Sequence, residues 1–216
     1  MVDTPSDFPS ASTPAEPAQA MRAALRTRLR AERAALDEDV RALNARAVRT
    51  HLMPILEELA PRHVAGYLAV GGELDPAPVL TACRERGIVT LLPVIHGATL
   101  VFSPFDESSV MRPNRFGIDE PSAPPQTRHA PHEIDVVLVP LVGFDTGLDR
   151  LGMGGGFYDR SFAARRGTAA PPRLIGVAHE AQRVDDVHPD WWDVPLDMIV
   201  TEAGVTRRDG NVRTAR

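Results

Sequence analysis

Hydrophobic positions along this chain recur with two periods, and the switches between them outline its elements. Residues 20–35, "AMRAALRTRLRAERAA", are strong helix formers with Met21, Leu25 and Leu29 at fourfold spacing, which predicts a helix with one apolar stripe. A second helix is expected from the N-cap candidate Asp37 to about Leu59, with Pro54 kinking or restarting it and Pro61 past its end. "HVAGYLAV" (63–70) then reads as a buried strand that turns at Gly71-Gly72, and residues 76–86 as a helix. "IVTLLPV" (88–94) and "ATLVFSPF" (98–105) are strands joined by a turn at His96-Gly97. Residues 106–133 carry five prolines and read as loop.

"IDVVLVPLVGF" (134–144) is an almost unbroken apolar run, the pattern of a strand buried on both faces. A helix is expected over 157–166, and strands over 173–179 and 197–202. Strands alternating with helices predict an α/β domain with a mainly parallel sheet, whose ligand crevice lies beyond the carboxyl ends of the strands. The domain is expected over 20–205, between a disordered Pro-, Ser- and Ala-rich tail (1–19) and a polar tail (206–216).

Composition narrows the class. A hydrophobic share of 43% with 25% charged residues fits a soluble globular chain, and a net charge of −5 argues against nucleic acid as a partner. The acidic start lacks the basic and apolar regions of a signal peptide, and no run reaches the ~20 apolar residues of a membrane span. One cysteine, Cys83, lies on the helix over 76–86, where a buried small hydrophobe is expected. It permits no disulfide within the chain and fits a reducing, cytoplasmic setting. All 24 basic side chains are arginine. A phosphate-gripping or Schiff-base lysine is therefore excluded, and any anion must meet arginine or backbone N–H groups.

Candidate chemistry gathers at "RLGMGGGFYDR" (150–160). Strand, glycine-rich turn and helix is the order that cradles phosphate, because bare N–H groups approach an anion closely and a helix N-terminus favours negative charge. The run fits neither the dinucleotide fingerprint, since Phe157 stands where Gly or Ala belongs, nor the P-loop, which needs lysine. A tight turn and a phosphate cradle both remain open. Arg150, Asp145, Asp149 and Asp159 beside the loop are groups that a nucleotide–magnesium complex could use, as is Asp197 at the start of the last strand. Asp159 is equally a first-turn helix acid. Arg22, Arg26, Arg30 and Arg33 line one face of the first helix, either as a solvated face or as an anion clamp. Glu73 stands just past the first strand, and Tyr67 and Phe157 are candidates to flank a flat ring. His129 and His132 have no partners with zinc spacing.

"VPLVGFDTGLDRLGMGGGFYDR" (139–160) resembles the signature of the 5-formyltetrahydrofolate cyclo-ligase, or methenyltetrahydrofolate synthetase, family. The basic first helix, "YLAVGGELDP" (67–76), "LLPVI" (91–95), "FGIDEP" (116–121), "IGVAHEAQ" (175–182) and "WDVPLDMIVTE" (192–202) follow in the family's order. The resemblance implies a Rossmann-like three-layer α/β/α sandwich of the sugar-isomerase and CoA-transferase type. It implies an ATP-dependent enzyme that closes 5-formyltetrahydrofolate to 5,10-methenyltetrahydrofolate with Mg²⁺ as helper, acting as a monomer on small molecules.

By position, it implies ATP contacts from Arg22, Arg26, Arg150, Leu151, Gly152, Met153, Gly154, Gly155, Gly156, Phe157 and Tyr158. Folate contacts fall to Leu68, Glu73 and residues 153–157, metal ligation to Asp159 and Asp197, and catalytic roles to Arg150, Tyr158 and Asp159. Two residues depart from the family: Arg22 stands where lysine is frequent, and Phe157 where tyrosine is, which limits Phe157 to stacking. A nucleotide-dependent paralogue acting on another small molecule, and an RNA- or partner-binding protein using the arginine stripe, are the alternatives. Glu73 favours folate over the first, and the acidic net charge weighs against the second.

Overall fold

The computed structural model describes residues 16–168 and 170–208. Most of the tail expected over 1–19 lies outside these residues, but Glu16 already opens helix α1 (Glu16–Ala34). Next come α2 (Glu38–Leu59), β1 (His63–Ala65), α3 (Ala77–Glu85), β2 (Val89–His96) and β3 (Thr99–Pro104). A hairpin, β4 (Met111–Pro113) and β5 (Asp119–Pro121), precedes β6 (Val136–Pro140). A second hairpin, β7 (Gly143–Phe144) and β8 (Arg150–Leu151), leads to the one-turn helix α4 (Phe157–Ser161). β9 (Arg173–Val177), β10 (Met198–Thr201) and β11 (Gly204–Arg207) complete the chain.

Seven strands form one sheet in the order β11-β10-β9-β6-β1-β2-β3. The five inner strands are parallel, and β3 and β11 close the edges antiparallel. Alternation in β6 sends Val136 and Leu138 to one face and Val137 and Val139 to the other. The first pair packs with α2 and α3, including Leu52, Leu56, Val79 and the fully buried Cys83. The second packs with Phe102, Phe144, Phe162 and Leu196. The expected α/β class with a mainly parallel sheet is what the chain adopts.

Four expectations change, each for a local reason. Helix α2 does not restart at Pro54 but continues through it, where the neighbours Leu52, Met53, Ile55 and Leu56 are all buried. Strand β1 is three residues long, not eight. After Gly66 gives one last bond to Leu91 O (2.9 Å), the chain leaves the sheet, and the Tyr67 hydroxyl donates to Leu74 O at 2.6 Å. The long strand over 134–144 breaks after Pro140, where the Gln182 side-chain amide takes the carbonyls of Leu141 and Val142 at 2.8 and 3.0 Å. Finally, Thr206 and Arg207, read as tail, pair with β10 in β11. No helix among the described residues is long and apolar enough to cross a membrane.

Candidate active site

A cleft of about 830 Å³ opens beyond the carboxyl ends of β1, β2 and β6, where open α/β sheets take ligands. The glycine run Gly152–Gly156 forms part of its wall. Gly154 and Gly156 have φ of +99° and +64°, which glycine tolerates without strain. A Cβ on Gly156 would stand 2.6 Å from the Arg160 guanidinium. The backbone path thus demands glycine at 154 and 156, whereas Gly152 has open space around it. One expectation is corrected here: α4 has five residues, too few for a macrodipole, so an anion would rely on loop N–H groups and arginines. Met153 lines the cleft and is 52% exposed.

Helix α1 turns its arginines inward. Arg22 and Arg33 are buried and Arg26 is half-buried, while only Arg30 of the stripe stays in solvent and Met21 is 49% exposed. The inward stripe is therefore Arg22, Arg26, Leu29 and Arg33, displaced by one position from the apolar stripe that the sequence predicts. Arg26 donates to Gly152 O at 2.8 Å, which ties α1 to the glycine loop. Burial, and then the like charge of Arg22, lower its pKa. Arg22 Nη1 donates to Asp193 Oδ2 at 2.8 Å, to His188 O at 3.1 Å and to Asp190 Oδ2 at 3.4 Å. Burial, opposed by Arg22 and reinforced by Asp193, raises the Asp190 carboxyl.

Arg150, 5% exposed, donates through Nη2 to Asp159 Oδ1 at 2.5 Å and through Nη1 to Val194 O. Val194 N–H meets the same Asp159 oxygen at 3.1 Å. The charged end of the cleft thus holds two arginine–aspartate pairs, Arg22–Asp193 and Arg150–Asp159.

Of the residues that the resemblance assigns to the site, two lie elsewhere, and the candidates Asp145 and Asp149 are likewise buried outside the cleft lining. Asp197 is not part of the cleft lining. It immediately precedes β10, with both oxygens 2.9 Å from Arg165 Nη2 and Oδ2 accepting from Leu174 N–H at 2.7 Å. Leu174 opens the neighbouring parallel strand, so Asp197 sits at the amino ends of the strands, and the expected pairing of Asp159 with Asp197 does not form a site. Leu151 points into the core against Leu29, Val142 and Val187. It serves as a ladder residue beside Gly143, not as a wall of the cleft.

The opposite end is mostly apolar. Tyr67, Leu68, Leu92, Ile95 and Phe157 line it with Glu73. Glu73 is 8% exposed. Val70 N–H donates to its Oε2 at 3.1 Å, and Arg33 Nη1 to its Oε1 at 3.5 Å. Burial outweighs both contacts and raises its pKa. Burial also raises the phenols of Tyr67 and Tyr158, with the charge of Glu73 adding to both. The Tyr158 hydroxyl is buried and has no hydrogen-bond partner among the described residues.

The hairpin β4–β5 closes this end, and the loop reading of 106–133 missed it. Asn114 Oδ1 accepts from Phe116 N–H and Ile118 N–H at 2.8 and 3.2 Å, which builds its turn. Phe116 meets the Phe157 ring edge-on at 6.0 Å. Glu120, Trp192, Asp190 and Asp193 also line the cleft without having been singled out. The last three stand in "HPDWWDVPLD", four to seven positions before the aspartate that was chosen.

Among the described residues, no three His, Cys, Asp or Glu side chains converge as a metal cage. A magnesium ion arriving on a triphosphate needs only one or two carboxylates, and Asp159, Asp190 and Asp193 share the charged end. The donor set fits such an ion.

Residues 18–202 match the 5-formyltetrahydrofolate cyclo-ligase family. The 5-formyltetrahydrofolate cyclo-ligases of Haemophilus influenzae and Escherichia coli K12 are each 32% identical over 180 residues, 82% of this chain and 95% and 98% of theirs. The solution structure of Aquifex aeolicus 5,10-methenyltetrahydrofolate synthetase superposes with a TM-score of 0.75 at 29% identity, covering 91% of this chain and 97% of that one. The chain belongs to the 5-formyltetrahydrofolate cyclo-ligase family.

Proposed function

We propose that this enzyme converts 5-formyltetrahydrofolate and ATP to 5,10-methenyltetrahydrofolate, ADP and phosphate. The formyl oxygen attacks the γ-phosphorus and the bond to ADP breaks. The neighbouring nitrogen then adds to the activated carbon and gives up its proton, and phosphate departs with the former formyl oxygen. Such phosphoryl transfer needs groups that position the reactants and stabilise charge.

The observation that carries this reading is the division of one cleft into a charged end and an apolar end, with the glycine loop forming part of its wall. The triphosphate belongs against Arg22, Arg26, Arg150 and the N–H groups of 152–156. Magnesium, when bound, neutralises phosphate charge, and Asp159 and Asp193, with Asp190 beside them, are the residues that would hold it. Each arginine–aspartate pair offers a cation to a phosphate and a carboxylate to the accompanying metal. The two buried charges thus exchange partners without being left uncompensated. Asp193 replaces Asp197 in this assignment.

The flat pterin belongs beside Glu73 and Leu68, with the Phe157 ring for stacking and the Tyr158 hydroxyl free to donate to it. Arg150 and Asp159, at the charged end, and their neighbour Tyr158 are the proposed catalytic groups. A monomer is the proposed working unit, and the single buried free cysteine supports a cytoplasmic setting. Purified protein mixed with Mg-ATP and 5-formyltetrahydrofolate should generate the absorbance of the methenyl product. Absence of product at high enzyme concentration would defeat the reading.

A further inference from the structure

Arg33 stands behind the cleft, not in it. It is 2% exposed, and no other side-chain cation on α1 is buried as deeply. Its guanidinium reaches three acceptors: Nε donates to Gly71 O at 3.1 Å, and Nη1 donates to Leu141 O at 3.3 Å and to Glu73 Oε1 at 3.5 Å. Gly71 and Glu73 belong to the turn after β1, and Leu141 to the break after β6. One side chain therefore fixes α1, the turn and the end of the central strand together.

The carboxylate is held from two sides. Arg33 takes Oε1, and Val70 N–H takes Oε2. A carboxylate offers about four lone-pair directions, so each oxygen keeps capacity for a further donor. A pterin carries an amino group beside a ring N–H, a pair of parallel donors that two carboxylate oxygens match in bidentate fashion. Only the ionised form accepts both.

We propose that Arg33 is a positioning residue for folate recognition, holding Glu73 ionised and in one orientation so that both of its oxygens accept from the pterin ring. This rests on the reading of Glu73 as the pterin-facing carboxylate. Burial of Glu73 opposes ionisation, and the Val70 N–H and then Arg33 oppose that effect in part. The other groups around the pair are Tyr67 and Tyr158 on the cleft side, Asp75 and Arg150 near those phenols, Arg30 on α1, and His179 with Arg41 and Glu202 near it. Burial raises both phenols and lowers the imidazole, so all three stay neutral from about pH 7 to about pH 9.

The test is steady-state kinetics of the full chain across that range, with folate and ATP varied separately. Arg33→Met should raise KM for 5-formyltetrahydrofolate about tenfold or more at the acid end. The excess should shrink as pH rises and Glu73 regains its charge. The kcat at saturating folate and the KM for ATP should stay within about twofold of the parent. Arg33→Lys, which keeps the charge without the fork, should restore most of the acid-end KM. Glu73→Gln should raise folate KM with a flat pH profile, and adding Arg33→Met to it should cost little more, since the two act as a unit.

A folate KM in Arg33→Met that is unchanged, or that rises equally at every pH together with the KM for ATP, overturns the positioning role. So does an additive double variant. If Arg33→Met does not fold, an Arg33→Lys enzyme with the folate KM and pH profile of Glu73→Gln overturns it equally. A normal folate KM in Glu73→Gln removes the reading of Glu73 itself. Failure of Arg33→Met beside an impaired Glu73→Gln removes only the role of Arg33.

Discussion

Two arginine–aspartate pairs in this molecule are alike in burial and in their backbone partners. Arg150 meets Asp159 at 2.5 Å, with side chains 4% and 22% exposed; Arg165 meets Asp197 at 2.9 Å, with side chains 8% and 19% exposed. Each aspartate also accepts a backbone N–H, from Val194 and Leu174 respectively. Yet the first pair lines the cleft and the second does not. What separates them is the end of the sheet. Arg150 and Asp159 flank the glycine loop that follows the carboxyl end of β6, whereas Asp197 immediately precedes β10, level with the start of β9. Burial and pairing describe how a charge is tolerated, and only its place relative to the strand ends says whether a ligand can meet it.

The strongest way to break the comparison is to remove each arginine. Arg150→Met should lower kcat by about 100-fold or more, the scale expected when a group that stabilises transition-state charge is lost. Arg165→Met should leave kcat within about twofold and instead destabilise the fold. An aspartate left without its cation costs about 1–3 kcal/mol here, after allowance for its partial exposure. Kinetics and thermal melts on both variants decide it, and a catalytic collapse in Arg165→Met would abolish the distinction.

A finer test exchanges the carboxylates. Asp159→Asn and Asp193→Asn should each raise the Mg²⁺ concentration for half-maximal rate by about tenfold, since a neutral amide is a poorer ligand for a hard cation. Asp197→Asn should leave that concentration unchanged and lower the melting temperature by a few degrees. Titrating Mg²⁺ at fixed ATP gives the answer, and a shifted requirement in Asp197→Asn alone would return the metal to the strand start.

Why the sequence could not choose between these aspartates is physical. Asp193 and Asp197 lie in one run, "DVPLD", and no pattern in it shows where the chain enters the sheet. Val194 and Leu196 are both buried like strand residues, although β10 begins only at Met198. Helix α1 misled in the same manner. Periodicity puts Met21 on the inward stripe and leaves the arginine face open as solvated or as an anion clamp, whereas in the fold Met21 is exposed and Arg22 and Arg33 are buried, at 8% and 2% exposure. Burial there is set by ion pairs formed with residues 40 to 171 positions away, which no local window contains.

What was legible depended on local backbone. The β2–β3 hairpin turning at Gly97, the parallel central strands and the glycine loop all announce themselves through side-chain alternation or φ demands. The hairpin over 111–121 did not. Its turn is built by the Asn114 side chain, and its strands are three residues each, too short to show alternation.

The smallest effect concerns a hydroxyl, and it contrasts with both arginine pairs because nothing holds it. Tyr158 Oη is buried yet unpartnered among the described residues, while its ring stacks on Phe162 with centroids 6.1 Å apart. Removing it breaks no bond of the free protein and relieves a buried polar atom, so Tyr158→Phe should melt at the parent temperature or slightly above. If the hydroxyl donates to the bound substrates, the same change should lower kcat/KM about three- to tenfold, the worth of one neutral hydrogen bond. Asp197 variants should show the reverse, lower stability with intact turnover. A Tyr158→Phe enzyme with parental kcat/KM for both substrates would reduce the phenol to a packing group and leave Arg150 and Asp159 as the reactive centre of the cleft.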